Sequence, residues 1–201
     1  MVKLRVNIKY LYFLVELKPF SYINFKRKKM IAIFLDRIFR AIKIDIDLYE
    51  EVEKDKSATV QAGTVVVLSS LAAGVGALQL GVSNFLLAPA LSLLSWYVWA
   101  YVIYFVGVKL LGGPKTKSSH GELLRTIGFS SAPGLIRVFG ITPDLMTVTF
   151  IGSAFWMLAC MVVAVKSALD YESMWKAFGV VVVAWLIQAF ALVLILILFK
   201  F

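Results

Sequence analysis

The chain has 201 residues, a net charge of +9 and an apolar fraction of 61% against 16% charged residues. Soluble proteins run at about 45–50% apolar, and a domain of this length has too much surface for its volume to hide the excess, which excludes an ordinary soluble fold. Most of the lysines, arginines and acids precede Thr59, and long stretches after it carry no charge.

Residues 1–29 have the character of a basic extension. They hold an alternating stretch, Lys3 to Lys9, and end in Lys26-Arg27-Lys28-Lys29. The apolar run Tyr10–Val15 is closed by Glu16 and Lys18, too short for a secretory signal. Met30 opens a cleaner pattern, so the extension is a candidate non-native segment. From Met30 to Ile44 the polar positions Asp36, Arg37, Arg40 and Lys43 fall three or four apart, which places them on one helix face. Ile31, Ile33, Phe34, Leu35, Ile38, Phe39 and Ile42 cover the rest. Such a helix either lies in the membrane interface or packs under the bundle, and Arg37, Arg40 and Lys43 are the expected membrane-surface or partner contacts. The acidic stretch Asp45–Lys56 lacks an EF-hand pattern, because Tyr49 and Glu50 stand where a ligand and a glycine are needed. A solvated charged helix or turn is expected there. Residues 30–58 thus form a cytoplasmic amphipathic and acidic region, and 59–201 a transmembrane helical domain.

Val60–Leu80 is uncharged and rich in small residues. Ala72/Gly76 and Ala73/Ala77 are pairs four apart which, with Gly74, suit close helix packing. Gly81–Asn84 predicts a short turn. Phe85–Leu111 predicts a second span whose mid-span aromatics, Trp96, Tyr97, Trp99, Tyr101 and Tyr104, face neighbouring helices. Gly112-Gly113-Pro114 ends it, and Lys115, Lys117 and His120 lie in a polar loop. Leu123–Ile141 is apolar apart from Arg125 and Arg137 and is interrupted at Gly128 and Ala132-Pro133-Gly134, so it is either a short, kinked span or a re-entrant or interfacial helix. Asp144–Ala168 and Trp175–Phe199 are long enough to cross. If Leu123–Ile141 also crosses, the basic N-terminal region and the Lys109–Arg125 and Lys166–Lys176 loops share one side, as the positive-inside rule demands. The expected fold is an all-α bundle of five transmembrane helices, the third short and kinked, preceded by a cytoplasmic amphipathic helix. The N-terminus is then cytoplasmic and the C-terminus outside.

Gly121-Glu122-Leu123-Leu124-Arg125-Thr126-Ile127-Gly128-Phe129-Ser130-Ser131-Ala132-Pro133 resembles the third span of the Yip domain family, five-span membrane proteins named for interaction with Rab-type GTPases. Tyr49–Glu53 is similar to the acidic stretch before the first span in its prokaryotic branch. Trp156 and the tail Ala164–Asp170 also resemble that branch. Eukaryotic members carry Asp-Leu-Tyr-Gly-Pro before the spans. Here Asp47-Leu48-Tyr49 is followed by Glu50-Glu51, which counts against a GTPase partner. The resemblance implies a plasma or inner membrane protein of a prokaryote that organises the membrane or its proteins, and supplies no reaction.

Chemistry has little to work with. One cysteine, Cys160, and one histidine, His120, exclude an intramolecular disulfide and a Cys/His zinc or iron–sulfur centre. Ser130 and Ser131 lack a nucleophile elbow, and no phosphate-binding loop, dinucleotide fingerprint or HExxH is present. No enzyme activity, cofactor or metal is expected. Basic residues flank hydrophobic spans, so lipids, and other membrane proteins or a second copy, are the expected partners, and nucleic acid is not. The intramembrane polar residues are Arg137, Lys166 and Gln188. Lys166 can pair with Asp170 or snorkel to the interface, Glu122 can pair with Arg125, and Gln188 suits a helix–helix hydrogen bond. The broken third span leaves a small transporter or channel component as the alternative.

Overall fold

The computed structural model describes residues 8–78, 88–114 and 116–199. The expected turn at Gly81–Asn84, the start of the Lys3–Lys9 alternation, Lys115 and Lys200 lie outside the described residues. The chain divides into two compact units, Met1–Arg37 and Ile38–Phe201. Every regular element among the described residues is helical: α1 Ile8–Ile42, α2 Ile46–Lys54, α3 Ala58–Gly76, α4 Ala88–Tyr104, α5 His120–Ser130, α6 Pro143–Ala168 and α7 Met174–Phe199. A π-helical stretch, Phe105–Leu110, continues α4, and a 3₁₀ stretch, Ala132–Phe139, follows α5.

Helix α1 runs through Lys29 and Met30 without a break. Met30, Ile31, Leu35 and Phe39 are 53%, 52%, 48% and 62% exposed, whereas Arg37 is 6% exposed. α1 stops in a Schellman motif: Asp45 N–H reaches Arg40 O at 3.1 Å and Ile44 N–H reaches Ala41 O at 3.0 Å. Ile44 takes the left-handed conformation there, at φ 59°. α6 ends the same way, with Asp170 at φ 51°, Tyr171 N–H on Lys166 O and Asp170 N–H on Ser167 O, both at 3.0 Å.

Among the described residues four helices are long and apolar enough to cross a membrane: α3, α4 with its π-helical continuation, α6 and α7. On α3 the buried positions Ala58, Ala62, Val65, Ser69, Ala72 and Gly76 repeat every three or four residues and form one stripe. Glycines bring the α5–3₁₀ segment onto it. A Cβ on Gly128 would lie 2.6 Å from Ala62 Cβ, one on Gly134 would strike Ser69 Oγ, and one on Gly76 would strike the carbonyl of Arg137. Contacts advance from Ala62 to Gly76 as the segment advances from Gly128 to Arg137, so the two run parallel along nearly all of α3. α5 runs through Gly128 and ends at Ser130, and the 3₁₀ turns start at Ala132 with Pro133 in their first positions. Of the small residues on α3, Ala72 and Gly76 are buried in this seam, while Ala73, Gly74 and Ala77 are half-buried beside it.

The main core joins the ends of α4 and α6 to α5 and the start of α7, with Ile103, Val106, Leu123, Leu169 and Val180 fully buried. The Tyr171 hydroxyl donates to Gly107 O, in the π-helical stretch, at 2.7 Å. Lys176 lies 4.1 Å over the Tyr171 ring.

Candidate functional site: a docked helical cap and a polar chamber

Asp45 caps α2 by accepting from Asp47 N–H at 3.0 Å. Leu48, Tyr49 and Val52 on its inner face are fully buried. The acidic segment is therefore not a wholly solvated helix; its alternation hides three apolar residues at helical spacing. Trp156 Nε1 donates to Ile42 O at 2.9 Å and Cys160 Sγ to Ala41 O at 3.5 Å, which ties the end of α1 to α6.

Arg125 pins the other end. Its Nε donates to Val52 O at 2.9 Å and to Glu53 O at 3.1 Å, and a terminal nitrogen also donates to Glu53 O. These are carbonyls of the last turn of α2, which have no partner inside the helix. The guanidinium is buried, and its positive charge opposes the negative end of the α2 dipole. Sequence spacing offered Arg125 to Glu122 instead. Glu122 is spent elsewhere: its carboxylate accepts from Ser119 N–H at 2.8 Å while Ser119 Oγ accepts from Glu122 N–H at 3.3 Å, a capping box that starts α5. The usable signal for Arg125 was a lone cation in an apolar segment.

Of the three expected surface cations, Arg37 is buried and Lys43 is exposed. Arg40 pairs with Asp45 at 2.7 Å and Glu51 at 2.6 Å, folding the acidic stretch back on α1. That pairing holds the Asp45 carboxyl below its ordinary value. Glu53 moves the other way, to about 7, first by burial and then by Asp170 and Glu122. Asp47 and Glu50 on the outer face of α2 are exposed.

The remaining polar residues meet between the helices. A chamber of about 590 Å³ is lined by α3, α4, α6 and α7 and by the 3₁₀ segment, with Ser69, Ser95, Arg137 and Gln188 on its wall. Arg137 Nε donates to Ser153 Oγ at 2.7 Å, and its guanidinium lies 5.2 Å over the Phe150 ring. Gln188 Oε1 is buried with no hydrogen-bond partner among the described residues. The expected helix–helix hydrogen bond through that oxygen is not made. Lys166 is half-buried in the last turn of α6 and forms no ion pair with Asp170, whose left-handed conformation carries it off the helix. No group of three or more His, Cys, Asp or Glu side chains among the described residues could hold a metal ion.

The Yip1 domain family model matches residues 49–196. The chain belongs to the Yip1 domain family. The match opens in α2 and closes in α7, so the docked cap helix is part of the family domain, as are the α3–α5 seam and the chamber. α1 precedes it. Family membership and the four long apolar helices make this a membrane protein. No curated protein and no solved structure matches the chain.

Proposed function

We propose that this family member organises membrane-protein partners without catalysis, through a cap held rigidly on one end of its membrane domain. The observation that carries the reading is the division of labour in α2. Leu48, Tyr49, Val52 and the backbone carbonyls held by Arg125 fix the helix from within, while Asp47 and Glu50 stay exposed on its outer face. A surface fixed by buried contacts loses little entropy on docking, which favours recognition by a partner.

Five crossings fit this reading. The α5–3₁₀ segment lies parallel to α3 from Ala62 to Gly76, which supports a crossing beside α3. Its 11 α-helical and 8 3₁₀ residues span about 32 Å at ~1.5 and ~2.0 Å per residue, enough for a hydrocarbon core of about 30 Å. With five crossings the cap, Lys109, Lys117, Lys166 and Lys176 share the cytoplasmic side of a prokaryotic plasma or inner membrane, and the C-terminus lies outside. No observation favours the transporter alternative.

The test is purification of the full chain from its native host in nanodiscs at natural abundance, with mass spectrometry of what accompanies it. A stoichiometric membrane-protein partner that is lost on Asp47→Lys/Glu50→Lys, but kept after a charge change at an exposed loop position such as Lys117→Glu, supports the reading. A partner set unchanged by the α2 variant, or no partner besides a second copy, overturns it.

A further inference from the structure

We propose that the polar chamber and an adjoining apolar groove together bind one anionic lipid, with its head group on Arg137 and an acyl chain between α6 and α7. The groove has a volume of about 650 Å³ and is lined by Ile151, Phe155 and Leu158 of α6 and Phe178, Val181 and Val182 of α7. Chamber and groove share Trp99, Arg137, Met157, Met161 and Trp185, so a single molecule can occupy both. Each volume falls in the range of ligand sites, about 300–1,000 Å³.

Arg137 dictates the sign of the head group. Its contacts are the Ser153 hydroxyl and the Phe150 face, and neither is an anion. No carboxylate among the described residues pairs with it. Ser153 lies ten residues after Pro143 along α6, about 15 Å at ~1.5 Å per residue, so the cation sits well below the helix end. A cation without a counter-ion at that depth is costly, and an incoming phosphate or carboxylate removes the cost.

The rest of the wall matches the same class. Gln188 Oε1 lacks a donor, and Ser69 and Ser95 add hydroxyls, which suits a hydroxyl-bearing anionic head. The rim is preformed, because Trp96 Nε1 is held by Leu124 O at 3.0 Å and Trp99 Nε1 by Met161 Sδ at 3.1 Å. A free anion would leave the groove empty. A choline head group would bring a second cation towards Arg137.

Native mass spectrometry of the delipidated full chain, titrated with dioleoyl phosphatidylglycerol, dioleoyl phosphatidylcholine or glycerol phosphate, tests this. The expected result is one saturable phosphatidylglycerol site, at least tenfold tighter than phosphatidylcholine. Arg137→Gln, which keeps a donor for Ser153, brings the two lipids within twofold, and Arg137→Lys retains most of the preference. Val182→Trp at the open groove alters no charge and leaves the buried core untouched, and it weakens phosphatidylglycerol at least fivefold. Equal binding of the two lipids overturns the proposal, as does a preference that survives Arg137→Gln. Displacement by glycerol phosphate as effective as by the intact lipid also overturns it, since the chain would then contribute nothing.

Discussion

Replacing Arg125 with Met keeps the length of the side chain and removes every donor to α2. Two carbonyls, Val52 O and Glu53 O, lose a charged partner. Hydrogen bonds to charged groups contribute about 1.5–3 kcal/mol each, so the cost approaches ~4 kcal/mol if α2 stays docked. The chain has a cheaper response, since the last turn of α2 can open to water and recover hydrogen bonds there. The buried trio Leu48, Tyr49 and Val52 resists that opening. A weakening of docking by about 3 kcal/mol corresponds to roughly a hundredfold faster exchange of the α2 amides, at ~1.4 kcal/mol per tenfold. Hydrogen–deuterium exchange of the purified chain in nanodiscs reads this directly, with the amides of α3 and α6 as the internal standard. Arg125→Lys, which offers a point charge without the fork, should fall between the two. An α2 exchange rate within threefold of the parent in Arg125→Met would refute the capping role and leave Arg125 as a space-filling side chain.

Three further outcomes follow from single contacts. Glu53 carries a folded-state value raised from 4.5 to about 7, so the folded chain holds the proton more tightly than the unfolded one. The resulting stabilisation is complete below about 4.5 and is lost as pH rises through about 7. After solvent screening of a half-buried carboxylate it is worth about 1–2 kcal/mol. The midpoint of thermal unfolding should therefore fall between pH 5 and 8, and Glu53→Gln should flatten that slope. Asp45 titrates below this window, because Arg40 lowers it, and does not confuse the measurement. Ile44 holds a left-handed conformation that penalises a branched side chain by about 1–2 kcal/mol. Ile44→Gly should raise the unfolding midpoint by roughly 2 °C once the lost burial and added chain entropy are counted; a lower midpoint would show that Ile44 packing dominates. Gly128→Val would press on the Ala62 backbone, 3.0 Å from a first added carbon. It should cost about 3 kcal/mol or more, whereas Gly152→Val, with nothing within 4 Å, should be silent in the same detergent melt.

The long helices were legible because a run of apolar residues the length of a bilayer has few other solutions. α3, α6 and α7 begin and end within a few residues of the expected spans. The expected third span was harder. Leu123–Ile141 looked doubtful because no single α-helix fits across Pro133, and spacing alone does not announce that eight residues from Ala132 to Phe139 continue as 3₁₀ turns. The steeper rise of those turns lets a short segment match α3, and the glycines at 128, 134 and 76 permit the approach. Those glycines were read separately, two as a kink and one as a packing motif. They share one seam.

The side-chain destinations were legible only in part, for a related reason. Local spacing pairs Glu122 with Arg125 and Lys166 with Asp170, because i+3 and i+4 neighbours are all that a helix shows on its own. In the folded chain the carboxylate at Glu122 has a better use at the N-terminus of its helix, and Asp170 leaves α6 in a left-handed turn. The two arginines of the Leu123–Ile141 segment go to different places. Arg125, in α5, faces the end of α2 and finds carbonyls there. Arg137 lies beyond the change to 3₁₀ geometry, which alters the rotation per residue and turns its side chain between α4, α6 and α7, where it meets Ser153 and the chamber. The change of helix type after Ser130 therefore separates a cation that closes the structure at the cap from a cation that faces the chamber.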